Sequence, residues 1–304
     1  MQRQKSSSRI AVYYELTKPK IWYLLVFTAF GGLVTASNIY GIEISVWTWL
    51  LAIFSVAAGS AAANTLTNYH DRDIDGIMER TKLRPLPSKR IYPAVKARNF
   101  GYILGGISLL LAWCISYTTS MEQGVWATTF IAFGLINNIL IYSYALKRRS
   151  RLNILLGGLC GGSPPLVGWV AVTTADLWSM GLVLAGLVFV WIPLHIWSLT
   201  MHFKDDYNKV GVPMLTAVQS ESMSARVIAA STIAMVVFSL VPLFLTGVSG
   251  LVYAATALAS GGLMLALSGW VVVRPSEKSA WTLFKFSSPY LAVLFIGIMV
   301  DTAL

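Results

Sequence analysis

Apolar residues are concentrated in long, nearly continuous windows that are separated by polar connections. A helix needs about 20 largely apolar residues to cross the hydrocarbon of a bilayer, and windows of that length recur from Ile21 onward. They predict nine transmembrane helices, at approximately residues 21–39, 46–67, 100–119, 125–146, 154–173, 177–202, 225–245, 251–273 and 286–304. The pattern therefore indicates an all-α protein that passes through a membrane several times.

The composition also indicates a membrane protein, and the net charge has to be interpreted in that context. Of the 304 residues, 56% are hydrophobic and 12% are charged, and with a mean hydropathy of +0.66 the chain is too apolar for an ordinary soluble domain. A net charge of +10 is also found in nucleic-acid-binding proteins. Here the basic residues flank apolar windows and do not line one soluble face, so we expect no nucleic-acid partner.

The placement of the basic residues predicts the orientation of the chain. The 23 Lys and Arg residues fall on one side of the predicted membrane, whereas the opposite connections carry Glu43, Glu122 and Asp176. Cytoplasmic segments of membrane proteins hold an excess of positive charge. We therefore expect a cytoplasmic tail at residues 1–20 and one membrane domain at residues 21–304, in a cell membrane and with an external C-terminus.

The first of two long cytoplasmic connections begins with a cluster of acids. Asp71 and Asp75 are four residues apart, so on a continuing helix they share a face, on which Thr67 and Asn68 precede them. Hard oxygen ligands of this kind suit Mg²⁺, which prefers one or two carboxylates together with phosphate oxygens and water. Asp73 points elsewhere on such a helix.

Basic residues follow these acids closely. A diphosphate leaving group needs its negative charge stabilised as the carbon–oxygen bond breaks, and the cations available nearby are Arg80, Lys82, Arg84, Lys89 and Arg90. The alternative is a juxtamembrane loop that is solvated and held by salt bridges, without a catalytic role. The position of the acids next to the membrane, together with a second acidic cluster, favours a functional site.

The second cluster lies at the end of the sixth predicted helix. His195 and His202 are seven residues apart, about two helical turns, so they and Asp205 or Asp206 can face one direction. A single buried histidine is often only a hydrogen-bonded core residue, but ionisable groups at membrane depth are costly and are candidates for function. The seven-residue spacing differs from the i, i+4 spacing of helical zinc sites, so zinc is not expected.

Breaks in the predicted helices indicate either a cavity or close packing. Glycines together with Pro164 and Pro165 interrupt the fifth helix, and Pro193 lies within the sixth. Irregular backbone at membrane depth lines enclosed cavities, whereas small residues let helices approach each other, and both interpretations are open. Trp169 and Trp197 lie beside these features and are candidates for stacking on a flat ring or shielding an allylic cation.

Five stretches, spread over nearly the whole chain, resemble one protein family. In chain order they are LTKPKIWYLLVFTAFGG, DRDIDGIMERTKLRPLP, YALKRRSRLNILLGGLCGGSPPLVGW, WIPLHIWSLTMHFKDDYNKVGVPML and LFKFSSPYLAVLFIGIMVD. These stretches resemble the UbiA-type intramembrane prenyltransferases, and among them the protohaem farnesyltransferases, also called haem O synthases. Five ordered matches at sensible spacings are not expected by chance.

The resemblance implies a nine-helix UbiA-type bundle with a central cavity that opens toward the cytoplasm. Two acid-rich motifs would then hold Mg²⁺ and the prenyl diphosphate, and the implied metal ligands are Asn68, Asp71, Asp75, Asp205 and Asp206. The candidate contacts of the diphosphate are Arg80, Arg84, Lys147 and Arg148.

The chain departs from the superfamily pattern at positions that bear on the acceptor. The usual leading Asn of the first motif is Thr67 here and Asn68 replaces a common Asp, so either residue is a candidate for the metal contact. His195 stands where aromatic-substrate members have Asp, similar to haem-specific members, which favours a haem acceptor. Its implied roles are to orient the porphyrin, to bind its iron or to act as a base toward water, with Trp197 and Trp169 as further haem contacts.

The activity that the resemblance implies is transfer of a farnesyl group from farnesyl diphosphate to a vinyl group of protohaem IX, with addition of water, to form haem O. Asp71, Asp75 and His195 are the expected catalytic residues. The alternatives are a prenyltransferase for an aromatic acid, a quinone precursor or a lipid, and, from another class, a transporter. Expected partners are the lipid bilayer and a downstream haem A synthase or oxidase assembly.

Overall fold

Helices form the regular structure of the chain. The computed structural model describes residues 8–245 and 250–304, and within these ranges it contains no strand. The helices are α1 (Arg9–Leu16), α2 (Pro19–Tyr40), α3 (Val46–His70), α4 (Arg72–Asp75), α5 (Val95–Cys114), α6 (Met121–Ile136), α7 (Asn153–Gly157), α8 (Ser163–Val170), α9 (Leu182–His202), α10 (Lys204–Lys209), α11 (Leu215–Val218), α12 (Glu221–Phe238), α13 (Leu251–Val273) and α14 (Glu277–Asp301). Arg3 and Lys5 of the predicted tail lie outside the described residues.

Short turns of other helix types extend or connect these elements. Turns of 3₁₀ helix follow α5, join α7 to α8 and follow α12, at Ile115–Tyr117, Gly158–Gly162 and Val241–Phe244. Turns of π helix continue α6 and precede α9, at Asn137–Leu146 and Leu177–Gly181. Because π turns inside α-helices are often found at functional sites, the end of α6 becomes a place of interest.

Eight helices of the described residues are long and apolar enough to cross a membrane. Including their 3₁₀ and π turns, they are Pro19–Tyr40, Val46–His70, Val95–Tyr117, Met121–Leu146, Leu177–His202, Glu221–Phe244, Leu251–Val273 and Glu277–Asp301. The predicted all-α, multi-pass architecture is therefore confirmed. Each of these helices corresponds to one predicted span, and the fifth predicted span is the one without such a helix.

The fifth predicted span, residues 154–173, is broken into three pieces. It consists of α7, the 3₁₀ turn Gly158–Gly162 and α8, because glycines weaken the helix and Pro164 and Pro165 follow directly, in the first turn of α8. A Cβ atom on Gly168 would lie 1.9 Å from the carbonyl oxygen of Ala29 in α2, so only glycine permits this approach. The small residues therefore allow α8 to pack closely against α2.

Several helices begin well before the apolar windows that predicted them. The last one starts at Glu277, whereas the hydropathy pattern places its start near residue 286. Ser276 and Ser279 form a capping box there, which stabilises the first turn of the helix. Lys278 and Lys285 lower the hydropathy of residues 277–285, so the apolar window begins after them. Hydropathy therefore locates the membrane-crossing part of the helix and misses its polar first turns.

Connections at one end of the bundle meet each other, and we call this the basic end because it carries the clusters of Lys and Arg. It contains residues 71–94, 147–152 and 203–220. The amphipathic helix α1 covers part of it, with Val12 and Leu16 packed against the first of these connections. The basic end thus forms a folded cap on the helices.

We expect Gly168→Ala to lower the free energy of unfolding by about 1–3 kcal/mol, because the added methyl group would overlap the backbone of α2, which cannot move aside. The thermal unfolding midpoint of the purified protein in detergent measures this effect. Gly262→Ala in α13 is the matched control, since a Cβ atom there meets nothing within 4 Å. An unchanged midpoint for Gly168→Ala would contradict the close contact.

Candidate active site

Two buried carboxylates lie where α3 ends at the basic end. Asp71 follows the last residue of α3 and Asp75 ends α4, and their exposures are only 2% and 4%. The Lys147 ammonium group forms an ion pair with Asp71, and the Arg84 guanidinium lies 2.9 Å from both oxygens of Asp75. Each buried acid is therefore matched by one cation, as a charge in a medium of low polarity requires.

The third acid of this segment faces away from the pair, as the sequence predicts. The side chain of Asp73 is 60% exposed, and Arg148 donates to its two oxygens at 2.6 and 2.7 Å. These bonds lower the pKa of Asp73 to about 2. Arg148 also lies 3.9 Å from Asp71, so it borders the buried site without pairing closely with its acid.

Lys147 is the most deeply enclosed of the predicted diphosphate contacts. It follows the π turns that end α6, and its side chain is 13% exposed. Burial alone would lower the pKa of Lys147, but Tyr142 and Asp71 outweigh it, so the pKa is raised above its ordinary value. Lys147 therefore stays charged beside the acids.

Two oxygens in this site are buried without a hydrogen-bond partner among the described residues. They are Oδ1 of Asn68 and Oδ1 of Asp71, which are one helical turn apart at the end of α3. The amide nitrogen of Asn68 donates to the Leu16 carbonyl at 2.7 Å, and this bond fixes the orientation of the amide. Buried unpaired acceptors fit a hard cation such as Mg²⁺.

The Thr67 side chain forms hydrogen bonds with residues that follow α6 and not with the acid pair. Its hydroxyl lies 3.1 Å from Oδ1 of Asn138 and 3.0 Å from the Ser143 hydroxyl, both in the π turns that follow α6. Asn68, with its unpaired oxygen, is therefore the better candidate of the two for the metal contact.

The acids of the second cluster do not join the first pair in this structure. Both oxygens of Asp206 accept backbone N–H groups, from Glu79 and Arg80 at 3.1 Å each, and Asp205 is exposed. No group of three His, Cys, Asp or Glu side chains that could hold a metal ion is present in residues 8–245 and 250–304. In this structure Asp206 joins the two long connections through these hydrogen bonds. Metal binding by Asp205 and Asp206 stays a prediction.

Arg80 contacts residues of the second long connection and not the acid pair. Its guanidinium carbon lies 5.0 Å from the ring centroid of Phe203, and one of its nitrogens is 3.5 Å from the Tyr207 hydroxyl. Of the four predicted diphosphate contacts, Lys147 and Arg84 reach the buried acids, Arg148 borders them, and Arg80 faces the second connection.

Lys18 is a cation of the site that the sequence analysis did not single out. It separates α1 from α2 and has φ of +53°, in the left-handed region that is unfavourable for residues other than glycine. Burial and the charge of Arg84 lower the pKa of Lys18 to about 7, against the opposing effects of Asp75 and Asp71. Strained backbone at a half-buried charged group is typical of functional positions, and the Lys-Pro pair at the start of α2 was the available signal.

The histidines of α9 face α14. His195 lies between two aromatic rings, with centroids 4.3 Å from Trp191 and 4.4 Å from Phe284. His202 stacks on Trp281 at 4.6 Å. Both histidines therefore point toward the same neighbouring helix, as their seven-residue spacing predicts.

The two predicted tryptophan contacts lie in different places. Trp197 is 6% exposed, and its indole N–H has no hydrogen-bond partner among the described residues. Trp169 donates to the Ala175 carbonyl at 2.9 Å and packs against Tyr40, at the end of α2 opposite Lys18. Trp169 also lies 3.4 Å from the Cβ position of Gly181, directly before α9, and His195 is 14 residues, about 21 Å, further along that helix, so the two side chains do not share one site.

A cavity of about 110 Å³ lies between α2, α3, α6 and the broken fifth span. Its polar lining includes Ser60, Asn64, Asn138 and Ser163. Of these, Asn64 lies one helical turn from Asn68 on α3. The rest of its wall is largely apolar and includes Leu25, Val56, Phe130, Ile131, Leu135 and Pro164. Both interpretations of the broken fifth span therefore hold, since it packs closely on α2 and also lines a cavity.

Comparison with known proteins identifies the family. The UbiA prenyltransferase family model matches residues 24–290. The chain belongs to the UbiA prenyltransferase family. It is 70% identical over 309 aligned residues to protoheme IX farnesyltransferase 2 of Cenarchaeum symbiosum (strain A), covering 100% of this chain and 99% of that one. The predicted family is confirmed, and the transporter alternative is left without support.

Solved structures of the UbiA type share the fold. A structure of digeranylgeranylglyceryl phosphate synthase matches with a TM-score of 0.74 at 20% identity, over 97% of this chain and 98% of that one. A UbiA homolog from Archaeoglobus fulgidus, bound to DMAPP and Mg²⁺, matches with a TM-score of 0.61 at 14% identity, over 95% and 99% of the two chains. At these identities the likeness concerns the fold, and it confirms the predicted UbiA-type bundle.

We expect Asp206→Ala to accelerate hydrogen exchange at the Glu79 and Arg80 amides by about ten- to hundredfold, because each amide loses a hydrogen bond to a charged acceptor. Mass-spectrometric hydrogen exchange of the peptide that contains both residues measures the change. Asp205→Ala is the matched control, since this neighbouring acid is exposed. Equal exchange in the two variants would contradict a junction held by Asp206.

Proposed function

We propose that the chain transfers a farnesyl group from farnesyl diphosphate to a vinyl group of protohaem IX, with addition of water, to form haem O. The observation that carries this proposal is the 70% identity, over the whole chain, to a protein named protoheme IX farnesyltransferase 2. The membership in the UbiA prenyltransferase family and the paired acids and cations at the basic end agree with it.

The residues that would hold Mg²⁺ are Asn68, Asp71 and Asp75. The unpaired oxygens of Asn68 and Asp71 supply hard ligands, and an Mg²⁺ complex in a solved structure of the same fold supports the assignment. When bound, the ion neutralises negative charge on the diphosphate. Asp205 and Asp206 complete the proposed ligand set if the junction between the two connections opens.

The cations around the acids would receive the diphosphate. Asp71 and Asp75 hold Lys147 and Arg84 in the absence of substrate, and Lys18 lies within the electrostatic influence of both acids. When the bond between the allylic carbon and oxygen breaks, its electron pair leaves with the diphosphate. The positive charges of Arg84 and Lys147 stabilise the product, as does Lys18 in its protonated form. Arg148 and Arg80, which lie further out, would guide the diphosphate into the site.

The cavity of about 110 Å³ would receive part of the farnesyl chain, since it is smaller than a fifteen-carbon group. Its lining residue Asn64 lies about two turns of α3 before Asp71, and its apolar wall continues into the bundle. An apolar wall excludes water from the allylic cation, so the cation survives long enough to react with the haem vinyl group.

The acceptor haem would lie beside α9, in contact with His195 and Trp197. The vinyl group attacks the allylic cation and forms the new carbon–carbon bond, which leaves a positive charge on the porphyrin side. Water adds to that cation and loses a proton, so a hydroxyl group remains on the product. The accessible edge of His195 is the polar group that would orient the ring, and contact with the buried indole N–H of Trp197 would need a movement of its surroundings.

The second candidate is a UbiA-type prenyltransferase for another acceptor, such as an aromatic acid, a quinone precursor or a lipid. The fold match to digeranylgeranylglyceryl phosphate synthase favours it only at the level of architecture. We further propose that the protein lies in the cell membrane with the basic end toward the cytoplasm, and that a haem A synthase or oxidase assembly receives its product.

We expect membranes that contain the protein to convert protohaem, farnesyl diphosphate and Mg²⁺ into a hydroxyethylfarnesyl haem, identified by mass spectrometry of the extracted haems. Asp71→Asn and His195→Ala should lower the yield by about 10²–10³-fold, because each removes a group that acts on the reacting substrates. Asp73→Asn is the control for an outward-facing acid of the same segment.

The absence of a haem adduct from active membranes would contradict the proposed acceptor. Prenylation of an added hydroxybenzoate, naphthoate or glycerophosphate lipid in the same membranes would instead support the second candidate.

We expect Lys18→Met to raise KM for farnesyl diphosphate about tenfold, because the loss of one charge-assisted contact costs more than 1 kcal/mol. Steady-state kinetics at saturating protohaem measures the change. Lys20→Met, two residues away and exposed, should leave KM unchanged. Equal effects of the two substitutions would indicate general attraction by the basic end and would exclude a specific contact by Lys18.

A further inference from the structure

His195 is held on both faces and at one edge of its ring. Trp191 and Phe284 cover the faces at centroid distances of 4.3 and 4.4 Å. The Nδ1 atom lies 2.7 Å from the hydroxyl oxygen of Ser287 in α14. The ring therefore has a fixed position, and only its Nε2 edge makes no hydrogen bond among the described residues.

The hydrogen bonds of Ser287 determine which ring nitrogen carries the proton. Its hydroxyl donates to the Phe284 carbonyl at 2.7 Å. A serine hydroxyl has one proton, so toward His195 the same oxygen can only accept. Nδ1 of His195 must then be the N–H nitrogen, and in the neutral ring Nε2 carries the lone pair.

The surroundings keep Ser287 in place. It is fully buried in α14, and its carbonyl oxygen accepts the indole N–H of Trp191 at 2.8 Å. Two hydrogen bonds between α9 and α14 thus meet at one residue. His195 itself is only half-buried, and its Nε2 atom is not among the fully buried polar atoms that lack a partner, so this edge keeps accessible surface.

We propose that Ser287 is a positioning residue that holds His195 in the Nδ1–H form, so that the Nε2 lone pair donates to the iron of the acceptor haem. The proposal rests on the proposed function, in which protohaem is the acceptor. Neutral imidazole is a common axial ligand of haem iron, and a hydrogen bond at the other nitrogen sets both its orientation and its basicity. Ligation by His195 would fix the porphyrin beside α9 and thereby place its vinyl groups.

The protonation pattern is tested first, on the purified protein without haem. We expect ¹⁵N NMR of histidine-labelled protein in detergent to show an N–H at Nδ1 and a bare nitrogen at Nε2, with the signals assigned through His195→Gln. Ser287→Ala should change this pattern by removing the acceptor. A protonated Nε2 in the neutral wild-type ring would overturn the proposal, whether or not the protein farnesylates haem.

Iron ligation is tested by titrating ferric protohaem into the purified protein and recording the Soret band. The wild type should give the spectrum of an imidazole-ligated haem, which His195→Ala abolishes. Ser287→Ala should weaken protohaem binding by about 10- to 100-fold, as is usual when the partner of a metal-ligating histidine is removed. Ser287→Thr keeps the hydroxyl and should restore much of the affinity.

Ser268→Ala in α13 is the matched control, because this buried serine has no hydrogen-bond partner among the described residues. Unfolding midpoints of all variants show whether each remains folded. Binding by folded Ser287→Ala with wild-type affinity and spectrum would overturn the positioning role. Farnesyl transfer by a wild type that shows no imidazole-ligated spectrum would overturn this inference alone, whereas the absence of transfer would count against the proposed function.

Discussion

The two carboxylates buried at the end of α3 constrain the whole basic end. A buried charge is costly unless an opposite charge compensates it, so Asp71 and Asp75 require cations from other parts of the chain. Lys147 comes from the end of α6 and Arg84 from the connection after α4. Their ion pairs therefore draw two connections onto one helix end. They also concentrate positive charge where a diphosphate would bind, beside oxygens that a hard cation would use.

The broken fifth span connects this charged end to the interior. Gly168 lets α8 approach the backbone of α2, while Ser163 and Pro164 line the cavity that begins near Asn64. A continuous helix with larger side chains would fill this space. The same irregular segment thus supplies tight packing on one side and room for an apolar chain on the other, which is the combination that a membrane prenyltransferase needs.

The predictions from sequence succeeded where the physical constraint acts along the chain. The bilayer sets the length of each apolar window, so eight of the nine predicted spans were found among the described residues. The polar first turns of helices such as α14 were missed because hydropathy does not detect capping. Helical spacing correctly separated Asp73 from Asp71 and Asp75 and placed His195 and His202 on one side of α9. These inferences need only local geometry.

The sequence by itself determined the membrane architecture, the family and most acids and cations of the candidate site, with Lys18 as the exception. Only the tertiary structure decided which of these side chains lie together and which of their atoms lack a hydrogen-bond partner. Asp206 is occupied by backbone amides more than a hundred residues away, Trp169 lies at the opposite end of the bundle, and Ser287 meets His195 across 92 residues. Such pairings depend on how separate helices pack, and neither hydropathy nor spacing along one helix contains that information.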